Sequence, residues 1–192
     1  MWETKINTGN VFELRCKTTN YFGIGSIKKI KDILKALKDK EIDNVILVTG
    51  KGSYKTSGAF DVIKPALEEA KFKYSLYDKV GPNPTVDMVD EAAKMGRETG
   101  AKAVIGIGGG SPIDTAKSVA ILLEYIDKNA RELYEAKFIP EKAAPIIAIN
   151  LTHGTGTEVN RFAVATIPEK NYKPAIAYDC IYPMYAIDDP AL

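Results

Sequence analysis

A short apolar segment that runs into three consecutive glycines constrains this chain more than any other feature. Residues 104–117 read VIGIGGGSPIDTAK, and the apolar start is typical of a strand buried on both faces of a parallel sheet. Glycines 108–110 can adopt backbone angles closed to other residues and leave space for a ligand against the main chain. Ser111 is a good N-cap, Pro112 suits the first helical position, and Asp114 completes the helix start. The strand, turn and helix N-terminus together predict an anion-binding site.

The glycine turn alone is a weak indication of a dinucleotide site. It matches the pattern G-x-G-x-x-G poorly, because Ser111 stands at its last position and no acidic residue ends a strand about twenty residues later. A tight strand-to-helix turn that binds nothing is the alternative interpretation.

Composition excludes several classes of function. The 192 residues suffice for one good-sized domain or two small ones. The 26 lysines and arginines balance 25 acidic residues, so neither nucleic acid nor a membrane surface is expected as a partner. No apolar run approaches the ~20 residues that span a bilayer, and the polar start lacks a signal-peptide core, so we expect a cytoplasmic location. Cys16 and Cys180 are expected to be reduced thiols.

Apolar strands and amphipathic helices alternate along the chain. The strands are predicted at residues 11–16, 20–24, 44–49, 73–80, 104–107 and 145–150. Ser26 and Thr85 are predicted to cap helices, a third helix covers residues 57–70, and a charged connector covers 127–142. This alternation predicts an α/β fold with a doubly wound, mostly parallel sheet, helices on both faces and a short N-terminal β-hairpin formed by the first two strands.

Four turns rich in glycine or hydroxyl residues follow predicted strands. They lie at residues 49–55, 81–84, 108–111 and 151–157, the last reading LTHGTGT. Ligands of open α/β sheets bind outside the carboxyl ends of the strands, where these turns converge. Their convergence favours a nucleotide site over an empty turn.

Several spaced motifs together resemble the iron-containing (group III) alcohol dehydrogenase family, which is related to glycerol dehydrogenase and dehydroquinate synthase. The motifs are PNP at 82–84, GIGGGSPIDTAK at 106–117, THGTGTEV at 152–159, Lys173, and DDPAL at 188–192. The resemblance implies a Rossmann-like dinucleotide-binding domain followed by a helical metal-binding domain, with catalysis between them. We expect residues 1–192 to form the first domain alone, with the helical domain absent from this chain.

The resemblance also implies the residues that contact the cofactor. Gly109, Gly110 and Ser111 would hold the pyrophosphate, and Asp114 would support the loop and the helix start.

Four further positions match the family at other turns. Asn83 matches an asparagine near the cofactor, and Thr152 and Thr155 match hydroxyl positions close to the nucleotide. Lys173 matches a lysine on the ribose side.

The chain departs from the family pattern in its turn at 150–153 and in its metal ligands. Asn150 and Leu151 stand where the family has proline and threonine, so one hydroxyl contact is missing. The family metal, Fe²⁺ or Zn²⁺, is held by one aspartate and three histidines, whereas this chain has one histidine, His153. We interpret His153 as a loop residue rather than a proton donor, and we do not nominate Asp188 or Asp189 as ligands. The fragment alone is therefore expected to be inactive.

The turn after the strand at 44–49 bears on the choice of cofactor. An acidic residue there would bond both ribose hydroxyls and repel a 2′-phosphate. Here the position is held by Gly50, with Ser53, Lys51 and Lys55 nearby. This arrangement favours NADP(H) over NAD(H), although the lysines could equally be solvated turn residues.

Two functions of different classes are compatible with the sequence. The first is the cofactor domain of a metal-dependent dehydrogenase that interconverts an alcohol and an aldehyde. The second is a nucleotide-binding module without catalysis, and a glycerol dehydrogenase-type relative is a variant of the first. The resemblance also implies a homodimer formed through the strand at 11–16.

Overall fold

The computed structural model describes residues 16–192 of the chain. Six strands form one parallel sheet, and two short strands form an antiparallel hairpin beside it. In chain order they are β1 (Thr19–Phe22), β2 (Asn44–Gly50), β3 (Lys73–Val80), β4 (Ala103–Gly108), β5 (Ile146–Asn150), β6 (Phe162–Val164), β7 (Ala175–Ala177) and β8 (Tyr185–Asp188). The order across the sheet is β1-β8-β5-β4-β2-β3, and β6 pairs with β7.

Helices cover both faces of the sheet, as the alternating pattern predicts. They are α1 (Ile30–Lys38), α2 (Ser53–Thr56), α3 (Ala59–Glu69), α4 (Val86–Thr99), α5 (Gly110–Glu124) and α6 (Ala130–Tyr134). One core packs α1 and α3 against side chains such as Val45 and Leu47, and the other packs α4, α5 and α6 against Ile46 and Val48. Successive side chains of β2 therefore enter opposite cores, and the doubly wound Rossmann-like fold is confirmed.

The central strands and the ends of α4 are confirmed closely. The predicted strands at 44–49, 73–80, 104–107 and 145–150 correspond to β2, β3, β4 and β5. Thr85 caps α4 by accepting a hydrogen bond from the N–H of Met88 at 3.3 Å. Gly100 ends the helix in a left-handed conformation with φ 71°, which costs glycine little.

The N-terminal edge of the sheet differs from the expectation. β1 ends at Phe22 instead of residue 24, because Gly23 takes φ 132° and turns the chain. β1 pairs in parallel with β8, which lies in a stretch where no strand was predicted. The predicted hairpin partner at 11–16 lies outside the described residues, except for Cys16, which belongs to no strand.

The prediction that Ser26 caps a helix was wrong, and the prediction of a connector at 127–142 was incomplete. Ser26 does not cap a helix, because the segment Ser26–Lys29 is a 3-10 turn preceded by Gly25, and the Ser26 hydroxyl is buried without a partner. The connector at 127–142 contains α6, which begins with a capping box in which Asn129 and Glu132 bond each other's backbone N–H.

Two further predictions concern the state of the cysteines and the presence of membrane-spanning helices. Cys16 and Cys180 are both free thiols, as predicted. Within residues 16–192 no helix combines the length and the apolar character that crossing a bilayer requires.

The contact between α5 and β4 requires a residue without a side chain at position 106. A Cβ atom placed on Gly106 would lie 2.8 Å from the Cβ of Ala116 and 3.3 Å from the Cα of Ile113. Real Cβ atoms do not approach other carbons this closely, so α5 would have to shift away from the sheet.

We expect Gly106→Ala to lower the free energy of unfolding by about 1–3 kcal/mol, the usual cost of overpacking a core. Gly154→Ala is the matched control, because a Cβ atom there meets nothing within 4 Å. Urea denaturation of both variants measures the difference. Equal stability of the two variants would contradict the close packing of α5 on β4.

Candidate functional site

A cleft of about 310 Å³ lies beside the N-terminus of α5. The turn before α4, the start of α5, the loop after β5 and the hairpin β6–β7 supply its walls. Its lining residues are Asn83, Pro84, Gly110, Ser111, Asp114, Thr155, Val164 and Lys173. Six of these eight were predicted from the sequence as cofactor contacts, so the fold brings distant motifs together at one place.

The glycine turn starts the helix two residues earlier than the sequence suggests. Gly109 is the N-cap, α5 begins at Gly110, and no side chain caps its free N–H groups. Ser111 and Pro112 are thus the second and third helical residues, and the prediction of Ser111 as N-cap was wrong. The physical reason lies at Gly108, whose φ of 144° already turns the chain away from the strand. The uncapped N–H groups at this helix end are suited to an anion.

The loop at 151–157 packs directly on the glycine turn. A Cβ atom on Gly109 would lie 3.3 Å from the Cβ of Thr152, and one on Gly110 would lie 3.2 Å from the Oγ1 of Thr155. The N–H of Leu151 donates to the carbonyl of Gly108 at 2.9 Å. Gly109 and Thr152 therefore adjoin the cleft although they do not line it, which brings eight of the ten predicted residues together.

A hydrogen bond joins Asn83 and Lys173, which both line the cleft. The Nζ of Lys173 donates to the Oδ1 of Asn83 at 2.6 Å, and Asn83 holds a left-handed backbone with φ 54°, which asparagine tolerates better than most residues. The backbone fixes both segments, since the N–H of Thr166 donates to the carbonyl of Pro84 at 2.7 Å and Thr166 accepts from the N–H of Val86 at 3.0 Å. A cation bonded to Asn83 thus lines the same cleft as the N-terminus of α5.

Asp114 anchors the walls of the cleft instead of capping α5. Its carboxylate accepts the hydroxyl of Thr157 at 2.5 Å and the backbone N–H of Val164 at 3.1 Å. Burial raises the pKa of Asp114, and the bond from Thr157 and the charge of Lys117 oppose that rise. The expected support of the loop by Asp114 therefore has a specific form, because one carboxylate ties the loop after β5 and strand β6 to the helix.

Four residues at or behind the cleft were not among the ten predicted cofactor contacts. They are Pro84, Lys117, Thr157 and Val164. Lys117 offered one signal, because it lies three residues after Asp114 in the buried stripe of α5 where an apolar residue is usual. The contacts of Thr157 and Val164 with Asp114 span more than forty residues and leave no local signal.

Gly50 and Ser53 lie at the carboxyl end of β2, outside the cleft lining. β2 neighbours β4 in the sheet, so the two strands end on the same rim, and Ser53 begins α2. A Cβ atom on Gly50 would lie 3.2 Å from the carbonyl oxygen of Val80. Close packing on β3 is therefore one reason for glycine at this position, independent of any ligand.

The carboxylates of the DDPAL segment hold the chain together. Asp188 is buried and accepts the side-chain amides of Asn20 at 2.8 Å and Asn150 at 2.9 Å. Asp189 is also buried and accepts the backbone N–H of Ile27 at 3.0 Å. Both have structural partners that fully account for their burial.

The residues that the structure describes do not fit the family's metal site. The chain has one histidine, His153, which is exposed and whose ring centroid lies 6.3 Å from that of Phe22. Residues 16–192 contain no group of three or more histidine, cysteine, aspartate or glutamate side chains placed to hold a metal ion. A site with three imidazoles cannot be assembled from this donor set.

Comparison with known proteins relates the chain to one family. The model of the family described as iron-containing alcohol dehydrogenase matches residues 17–190. A long-chain primary alcohol dehydrogenase of Thermoanaerobacter ethanolicus is 88% identical over 192 residues, which are 100% of this chain and 48% of that protein. An NADPH-dependent butanol dehydrogenase of Clostridium saccharobutylicum is 35% identical over 90% of this chain and 43% of its own length.

A solved structure agrees with the sequence comparison. The crystal structure of an NADH-dependent butanol dehydrogenase A from Thermotoga maritima superposes with a TM-score of 0.86 at 32% identity, covering 94% of this chain and 44% of that one. The chain thus spans about half the length of the relatives it matches.

We expect Asp114→Asn to lower the free energy of unfolding by about 1–3 kcal/mol, the usual cost of leaving a buried polar group unpaired. An asparagine that accepts the Val164 N–H turns its NH2 group toward Thr157, whose hydroxyl proton then loses its acceptor at position 114, and the opposite orientation leaves the Val164 N–H unpaired. Asp32→Asn is the control, because Asp32 pairs with Lys29 on the surface, and such exposed pairs contribute little to stability. Thermal unfolding of both variants measures the difference, and equal melting temperatures would contradict the anchoring role.

Proposed function

Because this chain belongs to the iron-containing alcohol dehydrogenase family, we propose that its cleft binds a nicotinamide dinucleotide, with NADP(H) favoured over NAD(H). The proposed reaction of the whole protein interconverts a primary alcohol and its aldehyde. The observation that carries the proposal is the convergence of Asn83, Gly110, Thr155 and Lys173 on the uncapped N-terminus of α5.

The residues at the helix N-terminus fit a pyrophosphate. Gly109 and Gly110 leave the main chain accessible, and the positive end of the helix dipole favours the negative charge. Ser111 and Thr155 add hydroxyl donors, and Lys173 supplies a cation in the same cleft. We propose that these groups bind and orient the cofactor, while Thr152 packs on the turn from the side.

Hydride transfer assigns further roles to the cofactor, the walls of the cleft and the substrate. A bound nicotinamide supplies the group that gives or accepts a hydride. The walls fixed by Asp114 keep the cofactor in one orientation, which lowers the entropic barrier to the transfer. The long-chain primary alcohol dehydrogenase relative supports a primary alcohol as the substrate class.

We also propose that the metal ligands come from outside these 192 residues, with residues 1–192 forming the dinucleotide-binding domain. The single histidine of the chain and the length of its relatives support this division. An assay of the whole protein with primary alcohols and added Fe²⁺ or Zn²⁺ tests it, and failure to reduce either nicotinamide cofactor would contradict it.

The preference for NADP(H) rests on the carboxyl end of β2. Gly50 leaves no carboxylate to repel a 2′-phosphate, and the exposed side chains of Lys51, Ser53 and Lys55 can neutralise or bond one. Relatives include both an NADPH-dependent and an NADH-dependent enzyme, so family membership alone does not decide the cofactor.

The alternative functions are distinguished by activity. A nucleotide-binding module without catalysis would bind the dinucleotide but show no hydride transfer in the whole protein. A glycerol dehydrogenase-type relative would transfer hydride with a polyol and not with a primary alcohol. The homodimer and the cytoplasmic location remain predictions from the sequence.

We expect NADPH to bind the wild-type chain and Gly109→Asp to weaken that binding by about tenfold or more relative to Gly109→Ala. The alanine variant takes the space beside Thr152, and the aspartate adds a charge that repels the pyrophosphate. Fluorescence titration with NADPH measures both. Equal affinity of the two variants would contradict a pyrophosphate at this turn.

We expect Gly50→Asp to weaken NADPH binding by about tenfold or more while NADH binding changes little, because the carboxylate repels the 2′-phosphate and bonds free ribose hydroxyls. Gly50→Ala is the control for the contact with the Val80 carbonyl. Parallel titrations with both cofactors measure the effect. An equal loss of affinity for NADPH and NADH would show that position 50 acts through packing alone.

A further inference from the structure

A lysine side chain lies completely buried behind the cleft. Lys117 of α5 has a relative exposure of 0%. Its ammonium donates to the Oγ1 of Thr157 at 2.9 Å, to the carbonyl of Phe162 at 2.8 Å, and to the carbonyl and Oδ1 of Asn160 at 2.8 and 3.1 Å. One buried cation therefore has four acceptors from segment 157–162, which comprises the 3-10 turn Thr157–Val159 and the start of β6 and lies outside the six-stranded sheet.

Two routes connect this ammonium to residues that line the cleft. On the first, Thr157 accepts from Lys117 and donates its own hydroxyl proton to Asp114. On the second, the bond to the Phe162 carbonyl fixes the start of β6, whose Val164 lines the cleft and donates its N–H to Asp114. Both routes end on the carboxylate that ties the walls together.

We propose that Lys117 is a positioning residue, whose buried ammonium holds segment 157–164 against α5 and thereby sets the affinity of the cleft for a dinucleotide. This inference rests on the proposed function, because it specifies what maintains the shape of that site. Lys117 itself does not line the cleft, so it acts through Thr157, Val164 and Asp114.

The charge of Lys117 is sensitive to pH in an accessible range. Burial lowers its pKa to about 8, and the negative charges of Asp114 on its own helix and of Glu158 in the 3-10 turn Thr157–Val159 oppose that shift. The hydroxyl of Tyr134, on α6, lies 2.8 Å from the hydroxyl of Ser118, the residue that follows Lys117. A neutral amine has two N–H groups for four acceptors, so the hold on segment 157–164 weakens as pH rises through this pKa.

Loss of the Lys117 proton affects stability and affinity in opposite directions. As pH rises, it is expected to increase the free energy of unfolding and to lower the affinity for the dinucleotide. The native pKa of Lys117 is below its ordinary value, so the unfolded chain binds more protons between about pH 8 and pH 10. This group therefore increases the free energy of unfolding as pH rises through that window. A loss of dinucleotide affinity over the same range cannot arise from unfolding caused by Lys117.

The test measures NADPH affinity from pH 6.5 to pH 9.5 for the wild type, Lys117→Met and Lys94→Met. Lys94 is exposed on α4 and serves as the matched control for loss of a lysine charge. We expect Lys117→Met to bind NADPH roughly tenfold more weakly than the control at pH 7, because it lacks a charged donor. We expect the wild-type affinity to fall toward that of Lys117→Met at high pH, while the affinity of Lys117→Met stays level.

Amide hydrogen exchange without nucleotide provides a readout that does not require binding. We expect faster exchange in Lys117→Met at residues 157–164 and unchanged exchange in β2 and β4. Thr157→Val breaks one route and leaves the lysine in place, so it tests the same hold if Lys117→Met does not fold, and it should weaken binding while retaining the dependence on pH.

The outcomes separate this inference from the function on which it rests. Wild-type binding that is independent of pH, together with Lys117→Met binding as tightly as Lys94→Met, would overturn the inference and leave the proposed function intact. No binding of NADPH or NADH to the wild type would contradict the proposed function, and the exchange data then decide the structural hold. Unchanged exchange at 157–164 in both variants would overturn that hold as well.

Discussion

The positions of the sheet, the cleft and the threonine loop depend on one constraint. The backbone of α5 and of the glycine turn before it must approach β4 and the loop after β5 closely. Position 106 has no side chain, so the helix lies directly on β4. Positions 109 and 110 have none, so the threonine loop after β5 lies directly on the turn. The same absence leaves the helix N-terminus accessible to an anion. Packing and the proposed cofactor binding thus both require residues without side chains in the same stretch.

Buried polar groups link α5 to segment 157–164, which consists of a 3-10 turn, a short connection and strand β6. Segment 157–164 is connected to α5 mainly through Asp114, Thr157 and Lys117. Desolvation of the charges opposes folding, but their directional bonds fix a loop that apolar contacts would hold less specifically. A binding cleft needs that specificity, because its walls must keep their spacing without a ligand between them.

Elements that local interactions determine could be predicted from the sequence, whereas elements that depend on contacts between distant residues could not. The buried central strands are continuous apolar runs, and the cap at Thr85 is a local pattern, so both were found. β1 and β8 were misplaced or missed because they are short, and their pairing joins residues more than 160 positions apart. Ser111 was misassigned since the backbone at Gly108 determines where the helix begins. Lys117 had no assigned role because a helical lysine is ordinarily solvated, and its acceptors lie forty or more residues away.

The carboxylate of Asp188 makes three positions of the chain interdependent. It accepts amides from Asn20 on one side and Asn150 on the other, and the Oδ1 of Asn150 also accepts the N–H of Thr152 at 3.3 Å. Proline, which the family resemblance places at position 150, could supply neither interaction. Replacing this loop with one that has proline at position 150 would therefore leave a buried carboxylate short of a donor. A chimera built on this chain must therefore keep positions 20, 150 and 188 together.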